Sequence, residues 1–534
     1  MKYDVLIAGG GAAGLTAAAY TARKGLAVAL FEKQDELGGL VKSVTRNGFT
    51  FDMGLRAVED SGIILPMFSQ LGIPLDYVPS TVSIGIEDTV LSLASKESLN
   101  GYGELLESFY PESREDIHRI LQVITSIMKD MEVIYGIENP LFKDLKRDYR
   151  YIFRTLLPWM FKFIGTIGKI NRMNEPVEKF LDKLTDNASL KGVIGQHFFT
   201  KTPAFFAMSY FSVYLDYLYP KGGTGTLTKL LAEYVRAQQA EVHTNTALAE
   251  VDPLGQTVTD ARGETWSYDK LIWCCDLNTL YASIDMHRMP DSPMKESIQH
   301  RRHQLEGNRG GESVLSLFLS VDEKPEYFAK ISDGHFFYTP DSRGLGNIHA
   351  MQLEKLLGQY DATPEESQRV MDYTQEYLKY TTYEISIPVL KDSSMAPAGK
   401  TGLIISCVFS YDLLSQVDRA GWYEEYKEMC CKYIIGVFSR SIYPGLSKKI
   451  LDRFVSTPLS IERLTGNAQG AITGWSFDTD MMPAVHQMQQ VSRSVVTPMK
   501  HIYQAGQWAY SPSGLPISLL TGKLAADRVI KELT

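Results

Sequence analysis

Three glycines near the start of the chain, Gly9, Gly11 and Gly14, carry the G-x-G-x-x-G spacing that lets a phosphate approach the backbone. Gly9 permits a sharp turn, Gly11 has no Cβ to hold a pyrophosphate away, and Gly14 lets the following helix settle on the preceding strand. That strand is the short apolar run Val5 to Ala8, of the kind that fills a buried parallel sheet. The alanine-rich stretch to Ala22 favours helix, and Gly25 stands where a C-cap glycine belongs. The N-terminus of such a helix offers free N–H groups and the positive end of its dipole to phosphates. Leu26 to Phe31 reads as a second strand, and it ends at Glu32. An acid roughly 20 residues past the glycines is placed to accept ribose hydroxyls. Strand, turn, helix, strand and acid in this order predict a dinucleotide site, and the Glu32 carboxylate would repel a 2′-phosphate.

The rest of the chain must hold that site. At 534 residues it is long enough for two domains or more, with 44% hydrophobic and 22% charged residues. A net charge of -9 argues against a nucleic-acid partner. The five cysteines include two adjacent pairs, Cys274-Cys275 and Cys430-Cys431. They show no C-x-x-C and no zinc spacing, so neither a disulfide framework nor a metal site is expected, and a reducing cytoplasm fits. No apolar run approaches the ~20 residues that span a bilayer.

Beyond Glu32 come Gly38-Gly39, an extended run from Val41 to Arg46, Asn47-Gly48 and a second run from Phe49 to Phe51. Asn-Gly between two extended runs predicts a hairpin. Asp52-Met-Gly-Leu-Arg-Ala-Val58 follows. Glycines, acid, Gly-Gly, hairpin and Phe-Asp-x-Gly in this order resemble the N-terminus of the FAD-dependent amine-oxidase and phytoene-desaturase superfamily.

Two further blocks carry the resemblance. Pro220-Lys-Gly-Gly-Thr-Gly-Thr-Leu227, a helix to Gln238 and strands to Asp276 match the superfamily's return to its FAD domain. Near the end, a strand reaching Ala505, then Gly506-Gln507, a loop, Gly514-Leu-Pro516 and a helix through Gly522 resemble the motif that closes on the flavin. NAD dehydrogenases lack that C-terminal return, so the resemblance implies FAD. It carries cofactor contacts onto Gly9, Gly11, Ala13, Gly14, Glu32, Lys33, Gly39 and Leu40 in the first block. Leu248 falls where the family makes a backbone contact to adenine. Gly506 and Gln507 fall by the pyrophosphate and ribityl chain. The helix start at Leu515, Pro516 and Ile517 would point at the N1–C2=O edge of the flavin, where negative charge on reduction is stabilised by N–H groups. Ala-Gly-Gln-Trp with Ser-Gly-Leu-Pro resembles most the phytoene desaturase, carotenoid isomerase and retinol saturase group. Two positions depart from the pattern: Leu40 stands where amine oxidases carry arginine, and Gln507 where many relatives carry Asp or Glu.

The implied architecture is α/β, with a Rossmann-like FAD-binding domain from 1–95, 220–290 and 455–534 and an α+β substrate domain from 96–219 and 291–454. The implied activity is FAD-dependent desaturation or saturation of carbon–carbon bonds in a long apolar lipid, isoprenoid or fatty-acyl. Isomerisation or hydration with reduced FAD, amine oxidation, and lipid carriage without turnover are the alternatives. Two segments admit two readings each. Arg150 to Ile164 interleaves apolar residues with Arg150, Arg154 and Lys162, and Pro158 interrupts it. With the flanking residues to 170 it is either a helix that lies on a membrane surface or a substrate-domain helix with a solvated basic face. The nine aromatics from Phe198 to Tyr219 are either core or the wall of an apolar tunnel. Arg56 pairs with Glu59 or Asp60, or clamps a substrate carboxylate or the flavin O2 edge. Tyr510, Ser511 and Ser513 belong to the expected flavin loop, and Arg56 and Tyr510 are the catalytic candidates. His335 reads as a hydrogen-bonded structural residue. The sequence sets no oligomeric state.

Overall fold

The computed structural model describes residues 2–145, 147–358, 363–478 and 481–534, with backbone only at 347–350 and 364. Two seven-stranded sheets organise it. The first is built around Lys2–Ala8, which pairs in parallel with Val28–Phe31 on one side and Thr265–Trp273 on the other. Glu241–His243 extends it beyond Val28–Phe31, and Ile502–Gln504 pairs with the last residues of Thr265–Trp273, both in parallel. A meander of Leu248–Asp252 and Thr257–Asp260 folds back antiparallel onto the start of Thr265–Trp273. Strands covered on both faces read as continuous apolar runs, which is what Val5 to Ala8 and Val28 to Phe31 are. Val5, Ile7 and Leu30 face a layer of three helices, Ala12–Ala22, Thr226–Ala237 and Leu515–Leu533. Leu6, Ala29 and Phe31 face a second layer that includes Trp266, Trp273 and Leu280.

The second sheet runs Ile450–Ser456, Ser313–Val321, Thr401–Phe409, Tyr383–Ser386, His335–Thr339, Val82–Ile86, Thr89–Leu93. Every neighbouring pair is antiparallel except His335–Thr339 with Val82–Ile86. The sequence boundary at residue 95 places Val82–Ile86 and Thr89–Leu93 with the first body, yet both hydrogen-bond into this sheet. Leu315, Leu317, Ile385, Leu403 and Ile405 face helices Pro364–Tyr380, Tyr411–Arg419 and Tyr423–Arg440. Because side chains alternate along a strand, the residues between them face the other way, toward the first body. There Phe318 meets Phe51 of the predicted hairpin at 5.8 Å between ring centroids. That hairpin pairs Ser43–Arg46 with Phe49–Asp52, turning through Asn47 and Gly48 at φ 52° and 82°. Positive φ at both turn positions is what an Asn-Gly hairpin turn requires.

Helices from Ser98 to Leu215 cover the remaining part of the second sheet, over Val82 and Ile84. The basic segment stays helical through Pro158. The helix takes π spacing over Ile152–Leu156, and Pro158 falls at the start of Leu157–Ile170. Wider spacing there absorbs the hydrogen bond that proline cannot donate.

Gly14 packs so closely that a Cβ would overlap the Gly9 carbonyl oxygen, whereas a Cβ at Gly165, inside Leu157–Ile170, would meet nothing within 4 Å. Gly14→Ala is expected to destabilise the fold by about 1–3 kcal/mol. Gly165→Ala is expected to stabilise it by ~0.5–1 kcal/mol through helix propensity. Denaturant unfolding of the two variants beside the parent protein checks both signs.

Candidate functional site

Gly9 turns the chain at φ 99°, and its N–H donates to the Phe31 carbonyl at 2.8 Å. The space over Gly11 is open: from a Cβ there, the nearest atom would be the Gly39 Cα, 3.9 Å away. A backbone bridge joins Gly11 to Gly38, so the second glycine pair forms the facing wall. Gly39, at φ 57°, and Leu40 continue that wall. Glu32 lies at the same end of the sheet, its Oε2 accepting from the Gly10 N–H at 2.8 Å and its Oε1 from the Gln34 N–H at 2.9 Å. A carboxylate offers about four lone-pair directions, so two N–H bonds orient it and leave capacity for two hydroxyls. Lys33 extends its ammonium to the surface of Gly466. The Glu32 carbonyl accepts from the Thr246 N–H at 2.8 Å, which brings the start of strand Leu248–Asp252 to the cradle.

The C-terminal block closes on the same place. Gly506, at φ 95°, lies over Ala13, and its N–H donates to Thr521 Oγ1 at 2.9 Å. Gln507 Nε2 donates to the Ala471 carbonyl at 3.3 Å. Leu515, Pro516 and Ile517 form the first turn of Leu515–Leu533, and no side chain caps it. Its leading N–H groups have no intrahelical acceptor. An open glycine cradle, an oriented carboxylate and an uncapped helix end fit the pyrophosphate, ribose and flavin edge of FAD.

A charged cluster, which no motif announces, occupies the junction of the two bodies. Asp52, fully buried, accepts from Ser43 Oγ at 2.7 Å, Tyr219 OH at 2.6 Å and the Thr224 N–H at 2.8 Å. The guanidinium of Arg56, 3% exposed, donates to the Asp52 carbonyl, to Ser406 Oγ at 2.8 Å and to Ser316 Oγ at 3.3 Å. Its partners are not Glu59 or Asp60. Lys391 Nζ donates to the Arg56 carbonyl at 2.7 Å and Ser386 Oγ at 2.8 Å, and it lies 4.3 Å from the centre of the Tyr219 ring. His335 Nε2 donates to Glu384 Oε1 at 2.9 Å. Sheet register gathers these residues: Ser316 pairs with Ser406, Ser406 with Glu384, and Glu384 with Phe337, while Ser386 pairs with His335 one row along.

Burial pushes the Lys391 ammonium down to about 7, with the Asp52 charge opposing and the Arg56 charge assisting. It also lowers Arg56 and keeps His335 neutral at physiological pH. Burial alone would raise Glu384, but the bond from His335 and the charges of Arg56 and Lys391 hold it below the usual carboxylate range. Tyr135 keeps 39% of its surface accessible and the Glu384 side chain 35%. Aromatic rings stack beside the cluster, with Tyr217 on His335 at 5.2 Å, Tyr214 on Phe337 at 4.6 Å and His197 on Tyr210 at 5.0 Å. Tyr510 is buried beside Val485, and burial pushes its hydroxyl up to about 12, so it keeps its proton.

Gly9, Gly11, Gly14, Gly39 and Gly506 thus lie around one turn, and Arg56 falls in the junction cluster. Lys391, Glu384, Ser316 and Ser406 were not singled out. The signal was present as polar residues at inward positions of otherwise apolar strands, but only register across distant strands turns it into a cluster. Among the described residues, no group of histidines, cysteines or carboxylates could hold a metal, and no helix is long and apolar enough to cross a membrane.

The family model of flavin containing amine oxidoreductases matches residues 12–349. A 4,4'-diapophytoene desaturase (4,4'-diaponeurosporene-forming) of Staphylococcus aureus strain COL is 23% identical over 99% of both chains. Among solved structures, a redesigned putrescine oxidase superposes with a TM-score of 0.61 at 15% identity, covering 100% of this chain and 99% of its own. Reduced UDP-galactopyranose mutase superposes with a TM-score of 0.59 at 14% identity, covering 100% and 94%. Both agree in fold with the α/β body and second sheet described above. The chain belongs to the flavin containing amine oxidoreductase family and is an FAD-dependent oxidoreductase.

Proposed function

We propose that this oxidoreductase changes the saturation of carbon–carbon bonds in a long apolar lipid of isoprenoid or fatty-acyl type. The observation that carries the reading is similarity to a diapophytoene desaturase along 99% of both chains, rather than over the nucleotide-binding end alone. The stacked rings of Tyr217, Tyr214 and Phe337 support it, because an extended apolar chain needs a dry, wide apolar surface. Bound FAD would supply hydride transfer, and the protein supplies binding, orientation and exclusion of water. In this reading Gly9, Gly11, Ala13, Gly14, Gly39 and Leu40 form the pyrophosphate cradle. Glu32 takes the ribose hydroxyls beside Lys33 and Leu248, and Gly506 and Gln507 lie along the chain to the flavin. The N–H groups at Leu515 and Ile517 face its electron-rich edge. Tyr510 acts as a hydrogen-bond donor and not as a base. Leu40 in place of arginine weighs against amine oxidation.

We also propose contact with a membrane surface through 150–170. Phe153 and Phe161 are 66% and 75% exposed, Tyr149 and Ile164 also project outward, and Arg150, Arg154 and Lys162 are exposed between them. Large apolar side chains held in water beside cations suit a helix lying in the headgroup region. Trp159 anchors the segment from behind, donating to the Val133 carbonyl at 2.5 Å.

The purified protein is expected to show flavin absorption bands and to release FAD on acidification. Glu32→Ala is expected to weaken FAD retention at least about tenfold, from loss of a charge-assisted hydrogen bond worth ~1.5–3 kcal/mol. Retention unchanged in equilibrium dialysis overturns the ribose assignment. Mass spectrometry of the product formed from 4,4'-diapophytoene or an unsaturated fatty acid checks the reaction class. A change of two hydrogens marks desaturation or saturation, and an unchanged mass marks isomerisation. Reversing charge at Arg150 and Arg154 together is expected to reduce co-sedimentation with anionic vesicles, and undiminished sedimentation removes the membrane contact.

A further inference from the structure

Arg56 and Lys391 are two cations side by side at the junction, near His335 and the Tyr217 ring stacked on it. Among the described residues neither forms an ion pair: Arg56 donates to a carbonyl and two serines, Lys391 to a carbonyl and one serine. Arg56 Nε is buried and has no partner at all, and Lys391 keeps one of its three N–H donors unused. The carboxylates whose charge reaches them are already engaged, Asp52 by Ser43, Tyr219 and Thr224, and Glu384 by His335. A buried cation without a direct ion pair is costly, and a ligand carboxylate would supply one. In the proposed site the uncapped start of Leu515–Leu533 would face the N1–C2=O edge of the flavin, whereas the two cations contact the inward face of the second sheet, on Ser316, Ser406 and Ser386.

We infer that Arg56 and Lys391 form the head-group site of the substrate pocket, and that the lipid is an acid whose carboxylate they bind while its apolar chain lies along Tyr217, Tyr214 and Phe337. A carboxylate there accepts the spare Lys391 proton. The ammonium, close to half-protonated at neutral pH when no anion is bound, becomes fully charged when one is. The groups that set its charge are Arg56, Asp52, Tyr219, His335 and Glu384, and none of the last three turns cationic in the neutral range. The inference rests on the lipid reading above, and the following experiment separates failure of the two.

The test is calorimetric titration of the FAD-loaded protein with dodecanoate and, separately, with 1-dodecanol, which has the same chain and no charge. Dodecanoate is expected to bind at least about tenfold more tightly, as a charge-assisted pair in a dry site requires. Its affinity is expected to fall as the pH is raised from about 6.5 to about 8.5 while that of the alcohol stays level. Lys391→Met is expected to bring dodecanoate down to the affinity of the alcohol and to flatten the pH dependence, and Lys391→Arg to restore the preference. Arg56→Lys, which keeps a buried cation and so spares the fold, is expected to retain part of it. Equal binding of acid and alcohol by the parent protein overturns the head-group site and leaves the lipid pocket standing. A preference that survives Lys391→Met overturns it equally. Binding of neither probe overturns the lipid reading and the inference with it.

Discussion

A carboxylate sealed from water has to be satisfied by donors, and Asp52 draws its donors from two parts of the chain far apart in sequence. Ser43 comes from the opposite strand of its own hairpin, while Tyr219 and Thr224 come from the segment that returns to the first body. Leaving such a group unpaired costs several kcal/mol, roughly the margin of a whole domain. The Asp52 carbonyl in turn receives Arg56, which reaches Ser316 and Ser406 on the second sheet, and the Arg56 carbonyl receives Lys391. One buried charge therefore fixes the hairpin, the return segment and the face of the second sheet relative to one another. The space between the two bodies takes its shape from that chain of bonds.

The two ends of this space are built on different physics. Around the glycines, backbone does the work: absent Cβ atoms, an uncapped helix start and a carboxylate held by two N–H groups. These features depend on residues close together in sequence, so spacing alone exposes them. Gly14 and Gly9, Asn47 and Gly48, and Gly514 to Ile517 could each be read as a turn or a helix start because each involves one or two φ angles or one close approach. Around Arg56 the features depend on register. Glu384 and Ser406 are 22 residues apart in sequence but directly opposed, and Ser316 stands opposite Ser406 on a strand 90 residues earlier. No local rule couples them.

The misread details have the same origin. Proximity in sequence suggested Glu59 or Asp60 for Arg56, but the strand Val58–Glu59 leaves in another direction to pair with Tyr217–Pro220. Glu59 instead accepts from Ser61 at 2.6 Å. Strands Val82–Ile86 and Thr89–Leu93 follow the nucleotide-binding elements without a break in composition, and only their pairing with His335–Thr339 reveals which sheet they serve. Pro158 interrupts the α pattern in the sequence, and a π turn lets the helix pass it. His335, read as structural, is hydrogen-bonded as expected. Its partner Glu384 connects it to the charged cluster, which its own neighbours in sequence do not announce.

An apolar substrate and a charged cluster make opposite demands on one cavity, and the arrangement of walls reconciles them. Arg56, Lys391, Asp52 and Glu384 are confined to the junction face, where serines and backbone carbonyls solvate them in place of water. The aromatic rings of His197, Tyr210, Tyr214 and Phe337 lie along the helical side of the same sheet, and burial pushes His197 down to about 4, so that this wall stays uncharged. Tyr135 ends helix Arg114–Tyr135, and the carbonyl of Val133, two residues earlier, holds Trp159 of the exposed amphipathic segment. On the function proposed above, a lipid entering past that segment would meet apolar surface from the start and would lose contact with water before its polar end reached the cations. Charge placed anywhere else along the wall would have to be desolvated by the passing chain at each turnover, which is the physical reason to keep it at one end.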